Sequence, residues 1–274
     1  MNENRIHRAT SHDGTEIAGR VHGQGPPLVL VHGGLEDGDL CWEAMLPFLS
    51  DRFTCYLMSI RCRGLSGQAD DLTPERRVAD VMAFVDSIGG PVNLFGESDG
   101  ANQALGAAAQ SPAVAAVAVH EPPVFEILDE RTAARFDDAV RRTAEAADAG
   151  RLADATRVFA EFVANADELA ALSTSSYFDD CARYIPTLLR ELQQQDTGTA
   201  PSPTDPAMLP KITAPLLVLH GSQSAQREFF GNSVRHVADH VPDVQVREMA
   251  GSGHWGVTLA AERIANEIVK FFIR

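Results

Sequence analysis

The sequence predicts an α/β protein with a doubly wound, mostly parallel sheet and an inserted helical segment. Short apolar runs alternate with amphipathic helical stretches at both ends of the chain, as expected when buried parallel strands are connected by helices. Residues 124–205 lack a convincing strand and carry apolar residues at helical spacing. We therefore predict a core formed by residues 1–123 and 206–274, with residues 124–205 forming a helical cap, hereafter the cap segment.

The predicted strands are short apolar or alternating runs that end at turn-forming residues. They are residues 6–11, 16–21, 28–31, 53–60, 92–95, 114–119, 215–221 and 244–249. Asp13-Gly14 between the first two predicts a β-hairpin. The predicted helices are 42–49, 74–88, 101–109, 228–240 and 257–272 in the core, and 136–149, 152–164 and 184–194 in the cap segment. Residues 197–203 have a linker composition.

Composition excludes several classes of partner. The 274 residues carry a net charge of −15, which disfavours nucleic acid and anionic membrane surfaces. The sequence shows neither an apolar signal core at its N-terminus nor an apolar run of membrane-spanning length. The four cysteines form no C-x-x-C pair, so free thiols in a cytoplasmic protein are the simplest expectation. The protein is expected to be a monomer or a homodimer.

The sequence around Ser98 is the strongest chemical signal. Ser98 lies between Gly96 and Gly100, after the predicted strand 92–95 and before the Ala-rich helix. A serine in such a sharp strand-to-helix turn has the form of a nucleophile elbow, with its hydroxyl exposed at the carboxyl end of the sheet. None of the cysteines has a comparable setting, so Ser98 is the predicted nucleophile.

Three motifs in this order resemble those of the α/β-hydrolase superfamily: His32-Gly33-Gly34, the elbow at Ser98, and Gly253-His254-Trp255. The resemblance covers nearly all of the chain outside the cap segment. It implies that His254 is the general base and that His32 has a structural role. It also implies an oxyanion hole formed by the backbone N–H groups of Asp99 and Gly34, or of Leu35 in place of Gly34.

The third member of the triad departs from the usual pattern. Ser224 occupies the position where the family usually has an acid, and we expect it to contribute little. Some members, certain lactonases among them, instead use an acid after the following strand, where this chain has Glu121. Glu121 is therefore the preferred acid. Glu228 and a dyad without an acid remain alternatives.

The remaining candidates concern the walls of the site. Leu35, Trp255, Val124, Phe125, Tyr177 and Phe178 are candidate substrate-binding residues, although each has core packing as its alternative. Glu36, Asp37 and Asp39 are expected to form a solvated acidic loop rather than a cation site. Arg61 and Arg63 are expected to be solvated or paired loop residues.

These residues predict a serine hydrolase that cleaves a carboxylic ester or lactone. The substrate is expected to be a small molecule, and neither a cofactor nor a metal is implied. A carbon–carbon bond hydrolase for diketones, a cofactor-free haloperoxidase and a proline iminopeptidase would use the same residues. A ligand-binding sensor is the alternative outside catalysis, because the family's usual acid is missing. Ser98 argues against a dehalogenase or an epoxide hydrolase, which would need aspartate there.

Overall fold

The computed structural model describes residues 5–195 and 197–273. Its centre is an eight-stranded sheet in the order β1-β2-β4-β3-β5-β6-β7-β8. The strands are β1 Ile6–Thr10, β2 Glu16–Gly23, β3 Pro27–Val31, β4 Thr54–Met58, β5 Val92–Glu97, β6 Val114–His120, β7 Leu216–Gly221 and β8 Val244–Met249. Strand β2 is antiparallel to β1 and β4, and all other pairs are parallel. The α/β class and the mostly parallel sheet are as predicted.

Helices cover both faces of the sheet. In the core they are α1 Gly38–Trp42, α2 Leu46–Leu49, α3 Pro74–Ser87, α4 Asp99–Ala108, α10 Arg227–His240, α11 Gly256–Leu259 and α12 Ala261–Phe272. The predicted helix 42–49 is instead two short helices. Pro47 lies in the first turn of the second one, where its missing N–H is not required. The predicted helix 257–272 is also divided, at Ala260, whose extended φ of −128° interrupts the helical backbone.

The cap segment is helical throughout its regular elements. Its helices are α5 Glu130–Asp148, α6 Leu152–Val163, α7 Ala166–Ser173, α8 Tyr177–Ala182 and α9 Ile185–Gln193. The sequence analysis did not predict α7 and α8. Helix α7 begins with a capping box, in which Asn165 and Glu168 exchange side-chain and backbone hydrogen bonds.

Two apolar clusters hold the core together. One contains Val29, Leu94 and Val218 and packs the sheet against α3, α4 and α10. The other contains Leu30 and Phe95 and packs the opposite face against α1, α2 and α12. Because the central strands are buried on both faces, their carboxyl ends are held rigidly at one edge of the sheet. The structure of residues 5–195 and 197–273 includes no helix with the length and apolarity that a bilayer crossing requires.

Candidate active site

The turn after β5 holds Ser98 in a strained conformation. Its φ is 52° and its ψ is −124°, a region that residues with a side chain rarely adopt. Small neighbours are required on both sides. A Cβ at Gly96 would lie 2.4 Å from the carbonyl oxygen of Gly100, and a Cβ at Gly100 would lie 2.3 Å from that of His32. Ser98 therefore has the nucleophile-elbow geometry that the sequence predicts.

His254 lies in the loop between β8 and α11, with its ring against this turn. Its Nε2 is 3.1 Å from Ser98 Oγ, and its Nδ1 is 2.7 Å from Glu121 Oε2. The ring of Phe230 stacks on the imidazole at a centroid distance of 4.8 Å. The structure thus brings together the three residues that the sequence analysis selected, from three separate parts of the chain.

Glu121 follows β6 and is fully buried, with a φ of 47°. The N–H of Gly221 donates to its Oε1 at 2.8 Å, and the Ser224 hydroxyl donates to the same oxygen. The sequence analysis did not predict this contact, by which the Ser224 hydroxyl binds the carboxylate that contacts His254. Glu228, the alternative acid, is exposed on α10.

The Glu121 carboxylate and the His254 imidazole stabilise each other's charge. Burial alone would raise the pKa of Glu121, but its contacts with His254, His120 and Ser224 outweigh burial and lower it. Burial opposes the charge on His254. The hydrogen bond that His254 donates to Glu121, and the charges of Glu97, Glu121 and Glu168, nevertheless raise the pKa of His254 to about 9.

A second carboxyl faces the other side of the imidazole. Glu97 Oε1 lies 3.7 Å from His254 Nε2, too far for a hydrogen bond, and the residue is 5% exposed. Burial and the charges of Glu36, Glu121 and Asp99 raise the pKa of Glu97 to about 8, against the opposing effect of His254. The sequence analysis did not select Glu97, although its place next to the nucleophile was visible.

The acidic loop after β3, which was expected to be solvated, is exposed in part at Asp39 alone of its three acids, and Asp39 forms an ion pair with Arg20 at 2.8 Å. Glu36 and Asp37 are both buried. The Tyr177 hydroxyl donates to Glu36 at 2.7 Å, and the Tyr184 hydroxyl donates to Asp37. These two tyrosines belong to the cap segment. They cover the loop and shield its carboxylates from solvent, which the sequence pattern of the loop does not indicate. Burial raises the pKa of Glu36.

The backbone candidates for an oxyanion hole lie beside Ser98. Gly34, Leu35 and Asp99 all line the same cavity as the serine. His32 supports this loop, since its Nδ1 is 2.8 Å from Gly33 O and the N–H of Ile60 donates to its Nε2 at 3.1 Å.

The arginines near the site are paired. Arg77 forms an ion pair with the Asp99 carboxylate, and Arg63 forms one with Glu191 at 2.5 Å. Arg61 is fully buried against Asp80 at 2.6 Å. Arg61 and Arg63 are thus paired, which is one of the two arrangements expected for them.

The cavity at Ser98 has a volume of about 90 Å³ and mainly apolar walls. Four of the predicted wall residues line it: Leu35, Trp255, Phe125 and Tyr177. Val124 and Phe178 do not line it, contrary to expectation. Val124 packs into the sheet core, and Phe178 packs among the cap-segment helices. Lining residues that the sequence analysis missed include Phe136, Phe159, Phe162, Leu188, Phe229 and Phe230.

One cluster near the cavity has side chains of types that bind metals. The ligand atoms of Glu36, Cys41 and Glu97 lie within 4.8 Å of one another. However, burial and the charges of Glu36 and Glu97 raise the pKa of the Cys41 thiol well above its usual value. The Cys41 thiol is therefore protonated in the metal-free protein.

The fold and this arrangement are those of an α/β hydrolase. Residues 28–267 match the model of the Alpha/beta hydrolase family, and the chain belongs to that family. It is 26% identical over 245 residues to the N-formylmaleamate deformylase of Pseudomonas putida, covering 86% of this chain and 84% of that protein.

Solved structures give the same picture of the fold. An alpha/beta hydrolase from Sphaerobacter thermophilus is 29% identical with a TM-score of 0.77, covering 97% of this chain and 100% of that one. The esterase RhEst1 from Rhodococcus sp. is 23% identical with a TM-score of 0.77, covering 97% and 98% of the two chains. Hydrolase activity is supported by these similarities, whereas the substrate is not defined by them.

Proposed function

We propose that this protein is a serine hydrolase that cleaves small carboxylic esters, including lactones, through an acyl-enzyme on Ser98. The observation that carries the proposal is the continuous contact from Ser98 Oγ through His254 to Glu121, with distances of 3.1 and 2.7 Å. A hydroxyl is a weak nucleophile near neutral pH, and an adjacent base that is oriented by a third group activates it.

Each residue has a defined role in this reaction. His254 Nε2 accepts the Ser98 proton as Oγ attacks the carbonyl carbon, and it then donates that proton to the leaving oxygen. Glu121 holds the Nδ1–H tautomer and stabilises the imidazolium. The N–H groups of Asp99 and of Gly34 or Leu35 stabilise the oxyanion. Water then attacks the acyl carbon, which releases the carboxylic acid and regenerates Ser98.

The cavity favours a small acyl group. Its volume of about 90 Å³ is below the ~150 Å³ of an engineered cavity that holds benzene. A larger cleft of about 800 Å³ shares Phe125, Phe136, Leu192 and Gln195 with it, and offers space for a leaving group. The relative named as a deformylase removes the smallest acyl group, which agrees with a small acyl site. The cap segment supplies much of this wall and would control access.

The proposal is tested with a fluorophosphonate probe and a panel of 4-nitrophenyl esters of increasing acyl length. We expect the probe to modify Ser98, as mapped by peptide mass spectrometry, and the shortest esters to react fastest. Ser98→Ala should abolish labelling and lower kcat/KM by about 10³-fold or more. An unlabelled Ser98 together with no ester turnover would overturn the proposal and favour a ligand-binding protein.

A further inference from the structure

Glu97 is a buried acid in the cavity wall that the ester mechanism leaves unused. Only 5% of the residue is exposed, and its carboxyl has no hydrogen-bond partner among the residues that the structure describes. Its oxygens are not among the fully enclosed, unpartnered side-chain atoms of the described residues, so they remain accessible from the cavity to a bound molecule. Glu97 lines the cavity together with Ser98 and His254.

The position of the carboxyl defines what it faces. Oε1 lies 3.7 Å from His254 Nε2, and a Cβ at Gly33 would lie 2.2 Å from Oε2. The carboxyl therefore stands between the catalytic imidazole and the loop that carries Gly34. During acyl transfer, the leaving atom of the substrate lies within about 3 Å of Nε2, because it takes its proton from that nitrogen. A leaving atom on the Glu97 side of Nε2 is within hydrogen-bond reach of that carboxyl.

Esters and amides make different demands at this point. A leaving ester oxygen needs only the proton from Nε2. A leaving amide nitrogen also carries its own N–H, and this donor loses free energy if it is buried without an acceptor. The amide N–H therefore needs a hydrogen-bond acceptor beside Nε2 that does not already accept a hydrogen bond from another group. Glu97 has that position, whereas the carboxyl at Nδ1, Glu121, already accepts from His254, Gly221 and Ser224.

We infer that Glu97 accepts a hydrogen bond from the N–H of a scissile amide, so that the site cleaves small carboxamides as well as esters. The inference rests on the proposed function, because it uses the same acyl-enzyme. The C–N bond breaks as the leaving nitrogen takes the proton that Ser98 gave to His254, and water later releases the acid. The net reaction is amide plus water to carboxylic acid plus amine.

The charges around the cavity agree with an amine product. Arg77 and Arg63 are neutralised by Asp99 and Glu191, so they offer no free cation to repel an ammonium group. Glu36 forms no ion pair with a basic side chain of the described residues, and Glu97 faces only His254, at 3.7 Å. The ligand atoms of the two carboxyls lie close together. A leaving amine that picks up a second proton is thus stabilised beside these carboxyls.

The test compares substrates that differ only at the scissile atom: 4-nitrophenyl acetate, 4-nitroacetanilide and N-methyl-4-nitroacetanilide. The wild-type protein should hydrolyse the anilide above the uncatalysed rate. The ratio of anilide to ester kcat/KM should fall about tenfold or more in Glu97→Met and largely recover in Glu97→Gln, which keeps a carbonyl acceptor. The N-methyl anilide has no N–H to donate, so its kcat/KM relative to the ester should be insensitive to Glu97→Met.

The outcomes separate the two proposals. Ester turnover without anilide turnover, or an anilide-to-ester ratio that Glu97→Met leaves unchanged, would overturn the amide inference and leave the ester function standing. If the wild-type protein hydrolysed neither the ester nor the anilide, the result would instead count against the proposed serine hydrolase function. Thermal melting of each variant checks folding. If Glu97→Met is unstable, wild-type ester turnover without anilide turnover still overturns the inference.

Discussion

The two nitrogens of the His254 imidazole face two carboxyls that differ in hydrogen bonding. Glu121 at Nδ1 accepts three hydrogen bonds, and its pKa is lowered. Glu97 at Nε2 accepts none among the described residues, and burial raises its pKa to about 8. Both are buried glutamates beside the same ring. Hydrogen-bond donors and neighbouring charges, rather than residue type or burial, therefore move the pKa values of the two acids in opposite directions.

The largest expected effect comes from removing the charge on the Nδ1 side. Glu121→Gln keeps the shape of the side chain but loses the carboxylate that stabilises the imidazolium. We expect kcat/KM for a short ester to fall by about 10²-fold or more. Steady-state kinetics on the purified variant measure the effect.

Glu228→Gln is the matched control, because it removes a carboxylate of the same type from the exposed face of α10. It should leave kcat/KM unchanged. Near-normal turnover in Glu121→Gln would remove Glu121 from the proposed triad.

A smaller effect is expected for the hydroxyl that supports Glu121. Ser224→Ala removes one donor to Oε1, but the Gly221 N–H still holds that oxygen. We therefore expect a loss of about threefold to tenfold in kcat, with KM little changed.

Ser222→Ala is the control for this variant, because Ser222 belongs to the same turn but accepts a hydrogen bond from the Gly251 N–H instead. If both variants gave the same rates, the Ser224 hydroxyl would have no part in positioning the acid.

The strands of the sheet were predicted from the sequence more completely than the helices of the cap segment, of which α7 and α8 were not predicted. Apolar runs located the central strands, and β8 has the bounds that were predicted. Ser98 was selected from its position between a predicted strand and a predicted helix, whereas His254 and Glu121 were selected from the resemblance to the α/β-hydrolase superfamily. Periodicity reports on such local order.

Contacts between distant segments were not predictable in this way. Glu36 and Asp37 were expected in solvent because nothing local indicates that Tyr177 and Tyr184 cover them. Val124 and Phe178 were expected in the cavity because an aliphatic or aromatic residue suits both a pocket and a core. Glu97 was overlooked because a search for apolar walls passes over an acid.

The most direct test of the contrast between the two carboxyls is the pH dependence of kcat/KM for a short ester, corrected for uncatalysed hydrolysis. His254 must be neutral to accept the Ser98 proton, so activity should rise with pH toward the pKa of about 9 and level off above it. Glu97 becomes negatively charged above its own pKa of about 8 and then stabilises the charged imidazole. Glu97→Gln removes this charge and should move the rise to lower pH, whereas Glu228→Gln should not. A wild-type profile already level at neutral pH, and unmoved by Glu97→Gln, would contradict the account.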